Sequence, residues 1–246
     1  MKLSIVIPVL NSHEVLHRQF LYWEKIGLPD DVEIIIVDDG SNPPLEYNGV
    51  LPVRIIVTND TRPWTWALAR NRGVKEALGE YVLMTDIDHI LSKEAIDVAS
   101  EFSGDKMYFK RSFGILTEDG ELSQDKETLF AYGLSKEYYK KKGLRIGSLP
   151  NNICLNKEVF WKIGGYREDL IGKKYPQGED RSFKKAWGNY VRSLDREAKT
   201  TGVPIYMFPN GYYCGDVDQN PFGLFHSLSR ATNRNHKYKQ EKKCQI

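Results

Sequence analysis

Four short runs rich in strand-forming residues, at 3–9, 32–37, 53–57 and 81–85, mark the N-terminal part of the chain. Each gives way at once to polar residues. Between the first two runs, Val15, Leu16, Phe20, Trp23 and Ile26 recur at helical spacing over 13–26, and the pattern stops at Gly27. Between the third and fourth, Ala67, Leu68, Val74, Ala77 and Leu78 do the same over 66–78, ahead of Gly79. The run at 32–37 is almost unbroken in apolar character, as expected of a strand covered on both faces. Pro8 suits the end of a strand's pairing, because it has no N–H to donate. Ser92 is placed to cap a further helix over 92–102. Strands alternating with helices predict an α/β domain, doubly wound, with a mostly parallel central sheet and helices on both faces.

In such a sheet, ligands bind beyond the carboxyl ends of the strands. The polar clusters fall there, at 8–14, 38–41, 59–62 and 86–89. The last holds Asp86 and Asp88 at i, i+2. If strand geometry persists through Asp88, both carboxylates face the same side. A divalent metal carrying a diphosphate would relieve their repulsion. A strand ending in an Asp-rich turn would explain the same residues. Alternation places His89 opposite Asp88, away from such a metal.

The second half is less regular. A strand is predicted over 106–114, partial helix over 129–139, a short strand over 152–156, and a helix over 157–163 that ends at Gly164-Gly165. Helices over 179–190 and 191–201 are expected to break at Gly188 and end at Gly202, before a last strand at 205–209. There is no internal repeat and no low-complexity linker.

A length of 246 residues with 41% apolar content suits one large domain. The net charge of +2 gives no general case for nucleic acid, although the tail at 230–246 is basic. A frayed, solvated terminus accounts for it simply; contact with an anionic surface is the alternative. Cys154, Cys214 and Cys244 are far apart and form no Cys-x-x-Cys pair, which argues against structural zinc and for a reducing, cytoplasmic setting. Neither a signal peptide nor a transmembrane segment is expected.

Six motifs stand in a familiar order: Ser4-Ile5-Val6-Ile7-Pro8, Val37-Asp38-Asp39-Gly40-Ser41, Ala69-Arg70-Asn71-Arg72-Gly73, Asp86-Ile87-Asp88, Ile163-Gly164-Gly165-Tyr166 and Gly178-Glu179-Asp180. Together they resemble the GT-A fold glycosyltransferases of family 2, inverting enzymes that use nucleotide-sugars. The resemblance covers about residues 2–226. It implies a single GT-A, Rossmann-like domain over 1–229, with a nucleotide-binding half at 1–105 and an acceptor half at 106–229. It further implies a base pocket from Pro8, Val9, Asn11 and Asp39, with Arg70 and Asp86 also on the donor. Asp88 and the late His226 would bind Mn²⁺ or Mg²⁺; imidazole favours Mn²⁺. Asp180 would be the catalytic base, with Glu179 beside it. Gly165 and Tyr166 would line the acceptor side. Trp64 and Trp66 depart from the small residues usual in the family; they suit stacking on a sugar or base, or anchoring of the loop.

The reading that follows is metal-dependent, inverting transfer of a sugar from a nucleoside-diphosphate donor, a UDP-sugar first of all, to a hydroxyl acceptor. Arg70 is left with two roles, a phosphate partner or a structural partner of Asp86 or Asp38. Two alternatives stay open. One is a GT-A module that binds nucleotide-sugar or glycan without turnover. The other is transfer to a modified base in DNA, as in some viral enzymes. A nucleotidyltransferase is rejected, because Asn11-Ser12-His13-Glu14 contains no glycine for a phosphate loop.

Overall fold

The computed structural model describes residues 1–62, 65–147, 152–171, 179–194 and 199–209. Strand β1 (Leu3–Val9) leads into α1 (His13–Ile26), followed by β2 (Val32–Asp38), β3 (Val53–Val57), α2 (Trp66–Glu76), β4 (Tyr81–Met84), β5 (His89–Ile90) and α3 (Lys93–Ser100). The chain continues through β6 (Lys106–Phe113), β7 (Ile115–Leu116), β8 (Leu122–Ser123), α4 (Lys126–Ala131), α5 (Lys136–Lys142), β9 (Arg145–Ile146) and β10 (Ile153–Asn156). Helices α6 (Lys157–Lys162) and α7 (Glu179–Leu194) and strand β11 (Lys199–Met207) complete the described elements.

One large sheet runs β3-β2-β1-β4-β10-β6-β11-β5, with β9 paired to β6. Its first half is wholly parallel: β1 pairs with β2 and β4, and β2 pairs with β3. The second half is mixed. Strand β10 lies antiparallel to both β4 and β6, and β11 runs parallel to β6 but antiparallel to β5. The mostly parallel sheet read from the sequence therefore holds for the nucleotide half, and the rest is mixed. Strands β4 and β5 are neighbours in sequence yet lie far apart in the sheet order, so the sheet curls around the turn that joins them.

Both faces are covered. Leu3, Ile5 and Ile7 of β1 point to a core with Leu16, Phe20 and Trp23 of α1 and Ile96 of α3. Val6, of opposite parity, points to a second core with Ala67 and Val74 of α2, Phe160 of α6, and Phe183 and Trp187 of α7. Gly73 sets how closely α2 approaches: an added Cβ would stand 2.3 Å from Val6 Cγ1. The absent side chain lets α2 lie down on β1 and β2 and fixes where Arg70 and Asn71 emerge.

Three expectations change. Helix α7 runs unbroken through Gly188, because Phe183 and Trp187 before it and Tyr190 and Val191 after it pack against one core. Residues 199–201 belong to β11 rather than to a helix. Strand β4 stops at Met84, so Asp86 and Asp88 do not continue a pleat. The chain turns instead, with His89 N–H donating to the Asp86 carbonyl at 3.0 Å.

Candidate active site at the ends of β1 and β4

A crevice opens where β1 and β4 part. Their pairing ends at Val6 and Met84, whereas β1 continues beside β2 to Val9 and Asp38. Pro8 lies in that unpaired stretch, where its missing N–H leaves no ladder bond unmade.

On the β2 side, the two adjacent aspartates have different tasks. Asp38 holds its own loop, accepting from the N–H groups of Ser41 at 2.7 Å and Leu45 at 3.1 Å. The buried carboxylate of Asp39 accepts from Thr58 Oγ1 at 3.0 Å and Thr65 Oγ1 at 2.5 Å. Thr65 sits at the N-cap of α2, yet its hydroxyl goes to Asp39 rather than to the helix. Asn11, at φ 50°, ties the first loop to the next: its side-chain oxygen accepts from Asn42 N–H at 2.9 Å. Pro8, Val9, Asn11 and Asp39 thus converge on one wall. Trp66 opens α2, half-buried.

Arg70 is the hub of the second wall. Its guanidinium donates to Asp86 at 2.6 Å and to Glu179 at 3.3 Å, and lies 3.7 Å from Asp180. Only 2% of the residue is exposed. Burial works against its charge, but Asp86 foremost, with Asp180 and Glu179, more than offsets this and holds its pKa well above the ordinary value. Of the two roles the sequence left open, the structure displays the ion pair with Asp86. Glu179 is buried, and desolvation pushes its carboxyl up to about 7 against the pull of Arg70. Asp180 is the more open of the two, with 36% of its side chain accessible.

Tyr166 closes the hub from behind. Its ring stacks on Phe183 at 4.4 Å and lies under the Arg70 guanidinium at 5.2 Å. Asn71 clamps its backbone, donating to the Tyr166 carbonyl at 2.8 Å and accepting from the Tyr166 N–H at 2.9 Å. Gly165 precedes it at φ 60°. Gly165 and Tyr166 therefore belong to this wall, with Tyr166 buried within it.

The acidic turn is braced on every side. Gln19 of α1 donates to the Ile87 carbonyl at 2.6 Å and to the His89 carbonyl at 3.0 Å. Phe208 N–H donates to the Asp88 carbonyl at 2.9 Å. His89 folds back onto Asp88, with Nδ1 2.7 Å from Oδ1, which corrects its placement on the opposite face. Alternation failed because the turn interposes. Arg111 of β6 donates to His89 Nε2 at 3.3 Å, so the imidazole proton lies on Nδ1 and is given to Asp88. Burial would raise the Asp88 carboxyl, but His89 and Arg111 beside it hold it below the usual range.

Asp86, Asp88 and His89 each bring one ligand atom within 4.8 Å of the others. Two carboxylates and an imidazole form a donor set that suits Mn²⁺ or Mg²⁺. Both ring nitrogens of His89 are already engaged, which makes it an orienting partner of Asp88 in this arrangement. His226, Trp64 and the basic tail lie outside the described residues. Sequence reading missed Gln19 and Arg111; each is one polar residue in an otherwise ordinary helix or strand, with no motif to mark it.

An α/β sheet with an acidic turn and an arginine–carboxylate hub at its strand ends has the layout of a GT-A glycosyltransferase domain. The model of Glycosyl transferase family 2 matches residues 4–162, and the chain belongs to that family. An uncharacterized glycosyltransferase of Rickettsia conorii is 22% identical over 91% of this chain. The chain spans 37% of that relative's length. A poly(ribitol-phosphate) β-N-acetylglucosaminyltransferase of Staphylococcus aureus, TarP, is 30% identical over 39% of this chain and 31% of its own. Among solved structures, a 1–349 fragment of S. aureus TarS superposes with a TM-score of 0.55 at 17% identity, covering 85% of this chain and 61% of that one. That fragment has also been solved with UDP and with UDP-GlcNAc. Among the described residues no helix is long and apolar enough to cross a membrane.

Proposed function

We propose that the chain transfers a sugar from a nucleoside-diphosphate donor, a UDP-sugar, to a hydroxyl acceptor, with inversion in a single displacement. The observation that carries this reading is the buried Arg70, which gathers Asp86, Glu179 and Asp180 beside the Asp88–His89 pair. One assembly then serves both the donor and the attacking hydroxyl. The UDP-bound forms of the TarS fragment support uridine as the base.

In this reading Pro8, Val9, Asn11 and Asp39 hold the nucleoside, and Asp39 accepts from the base N–H. Asp86 turns Arg70 toward the crevice. Asp88 holds Mn²⁺ or Mg²⁺, with Asp86 adjacent and His226 as a further ligand. The ion would offset the charge of the diphosphate as it departs. Asp180 accepts the acceptor's hydroxyl proton as that oxygen bonds to the anomeric carbon and the bond to the diphosphate oxygen breaks. The Glu179 carboxyl is raised to about 7, but it is buried against Arg70, whereas Asp180 has the access a base requires. Glu179 then keeps Arg70 in place. Trp66 and the Gly165–Tyr166 turn border the acceptor side.

Calorimetry and thermal shift against UDP-sugars with Mn²⁺ test donor binding; a ligand at 100 times its Kd adds about 2.7 kcal/mol. UDP release to water reads turnover without an acceptor. Asp180→Asn should keep donor affinity while release falls at least about 100-fold. Loss of donor binding in that variant would move Asp180 into the donor pocket. Undiminished UDP release in chelator, or in Asp88→Ala, would overturn the metal assignment.

A further inference from the structure

Helix α7 carries more than the two carboxylates at its start. Arg181, Lys184, Lys185 and Arg192 are exposed along it, and no acidic residue follows Asp180 within the helix. At about 100° per residue, these four and Gly188 share one sector of about 100°, and Asp180 lies about 40° outside it. Phe183, Trp187 and Tyr190 occupy the opposite side. Among the described residues, no carboxylate lies within ion-pair distance of the four cations; Arg192 donates instead to Asn189 at 2.5 Å. A shallow concavity of about 550 Å³ lies over the sector, lined by Arg181, Lys184, Lys185, Gly188 and Arg192.

Gly188 is the second observation. It sits in the middle of the helix, where glycine is unfavourable. Its own protein does not require it, since nothing lies within 4 Å of where a Cβ would stand. The missing side chain instead leaves the floor of the concavity open between the lysines and Arg192. Charge has also accumulated here beyond what the fold balances. Lys184, after burial itself, helps push the buried Lys106 amine down to about 7.

We propose that this face of α7 binds an acceptor chain bearing phosphodiester groups and delivers its hydroxyl to Asp180. The inference rests on the glycosyltransferase reading above. Four cations over twelve residues span about 16 Å along the helix, which fits successive anions of one chain rather than a single phosphate. Guanidinium groups at both ends suit phosphate oxygens, which they contact in pairs. A membrane surface would call for apolar residues beside the cations, and this sector has none. Asp180 and the cations share one rigid helix, so a chain docked along it has a fixed register to the base.

The test uses the full chain and a short synthetic ribitol-phosphate oligomer as probe, titrated over a range of salt. The wild type should bind it with an affinity that falls steeply with salt. Combined Arg181→Gln, Lys184→Gln, Lys185→Gln and Arg192→Gln should weaken it at least about tenfold and flatten the salt slope. Donor affinity, measured separately with UDP-GlcNAc and Mn²⁺, should stay unchanged. Arg181→Lys with Arg192→Lys should retain oligomer binding, which separates lost charge from a folding defect. Equal oligomer binding by the glutamine variant overturns the proposal, and so does a wild type that binds donor but not oligomer. Stronger binding to phosphatidylglycerol vesicles or to single-stranded DNA, lost in the same variant, would reassign the face and also overturn it. Failure of donor binding alone would sink the transferase reading while the oligomer titration still reads this surface.

Discussion

The side-chain amide of Gln19 donates to the carbonyl oxygen of His89 at 3.0 Å and joins helix α1 to the acidic turn. The same nitrogen reaches Ile87 O at 2.6 Å. Gln19 is fully buried. Gln19→Met keeps the volume and removes both donors, leaving two buried carbonyls unmatched. The expected cost is about 2–4 kcal/mol in urea unfolding. Mn²⁺ affinity should fall as well, since the turn carrying Asp88 loses its brace. A stability loss with unaltered Mn²⁺ affinity would limit Gln19 to the fold.

Arg70 balances three carboxylates at once, so its removal should exceed the effect of any single pair. Arg70→Met is expected to cost about 3–5 kcal/mol, the range for stranding buried charge. Adding Glu179→Gln removes one stranded carboxylate. The double variant should therefore recover part of the loss, with a coupling of about 1–3 kcal/mol in a double-mutant cycle. Additive effects would show that Arg70 and Glu179 act separately.

The turn at Gly165 shows how a motif glycine serves a distant arginine. At φ 60°, a side chain is strained, and an added Cβ would stand 3.0 Å from Asn71 Oδ1. Gly165→Ala should cost about 1–2 kcal/mol for the left-handed backbone. It should also press on the Asn71 clamp and loosen Tyr166 over Arg70. Denaturant midpoints would give the first effect and Tyr166 near-ultraviolet circular dichroism the second. An unchanged midpoint would remove the strain argument.

Much of this architecture is legible in the residue pattern, for a definite reason. Strands β1 and β2 are buried on both faces, so their apolar runs leave little choice. Helices α1 and α2 end near glycine or alanine with a plain apolar stripe, and Ser92 caps α3 as its position predicts. The site is legible only as a set of parts. Asp86, Asp88, Glu179 and Asp180 are visible as acids, but Arg70, the partner that Asp86, Glu179 and Asp180 share, is set by how α2 packs, which Gly73 decides. His89 was misplaced because periodicity holds only while a strand lasts, and β4 ends before it. Thr200-Thr201-Gly202-Val203 carried a β-branched signal that a helix reading of 191–201 overrode. Gly188 was taken as a break, although Trp187 before it and Tyr190 and Val191 after it pack against the same core.

Lys106 supplies a pH test. Its amine is buried among Tyr108, Phe183 and Trp187, with ring centroids 4.7, 5.2 and 4.7 Å away. Desolvation, and then Lys184, lower it to about 7 from 10.5, even though the ring faces favour the charged form. The folded state then binds fewer protons than the unfolded state between those values. Stability should rise as pH increases from about 7 to 10.5, and should be lost as pH falls through the folded pKa. Lys106→Met should flatten that slope in denaturant titrations across the window. Lys184→Gln should shift its lower end upward. A wild-type slope that survives in Lys106→Met would assign it to another group.

Gly188 sets stability against binding in a single position. Replacing a helix-interior glycine with alanine should add about 0.5–1 kcal/mol, because the unfolded chain loses freedom and no neighbour objects. Urea unfolding of Gly188→Ala measures that gain directly. If the open floor of the α7 face admits an acceptor chain, the same methyl narrows it. The more stable protein should then bind the ribitol-phosphate oligomer less well, with UDP-GlcNAc affinity unaltered. Gly188→Leu should deepen the binding loss, since its side chain would fill the space between Lys184 and Arg192. A Gly188→Leu protein that folds and binds the oligomer as the wild type does would leave the glycine without a binding role.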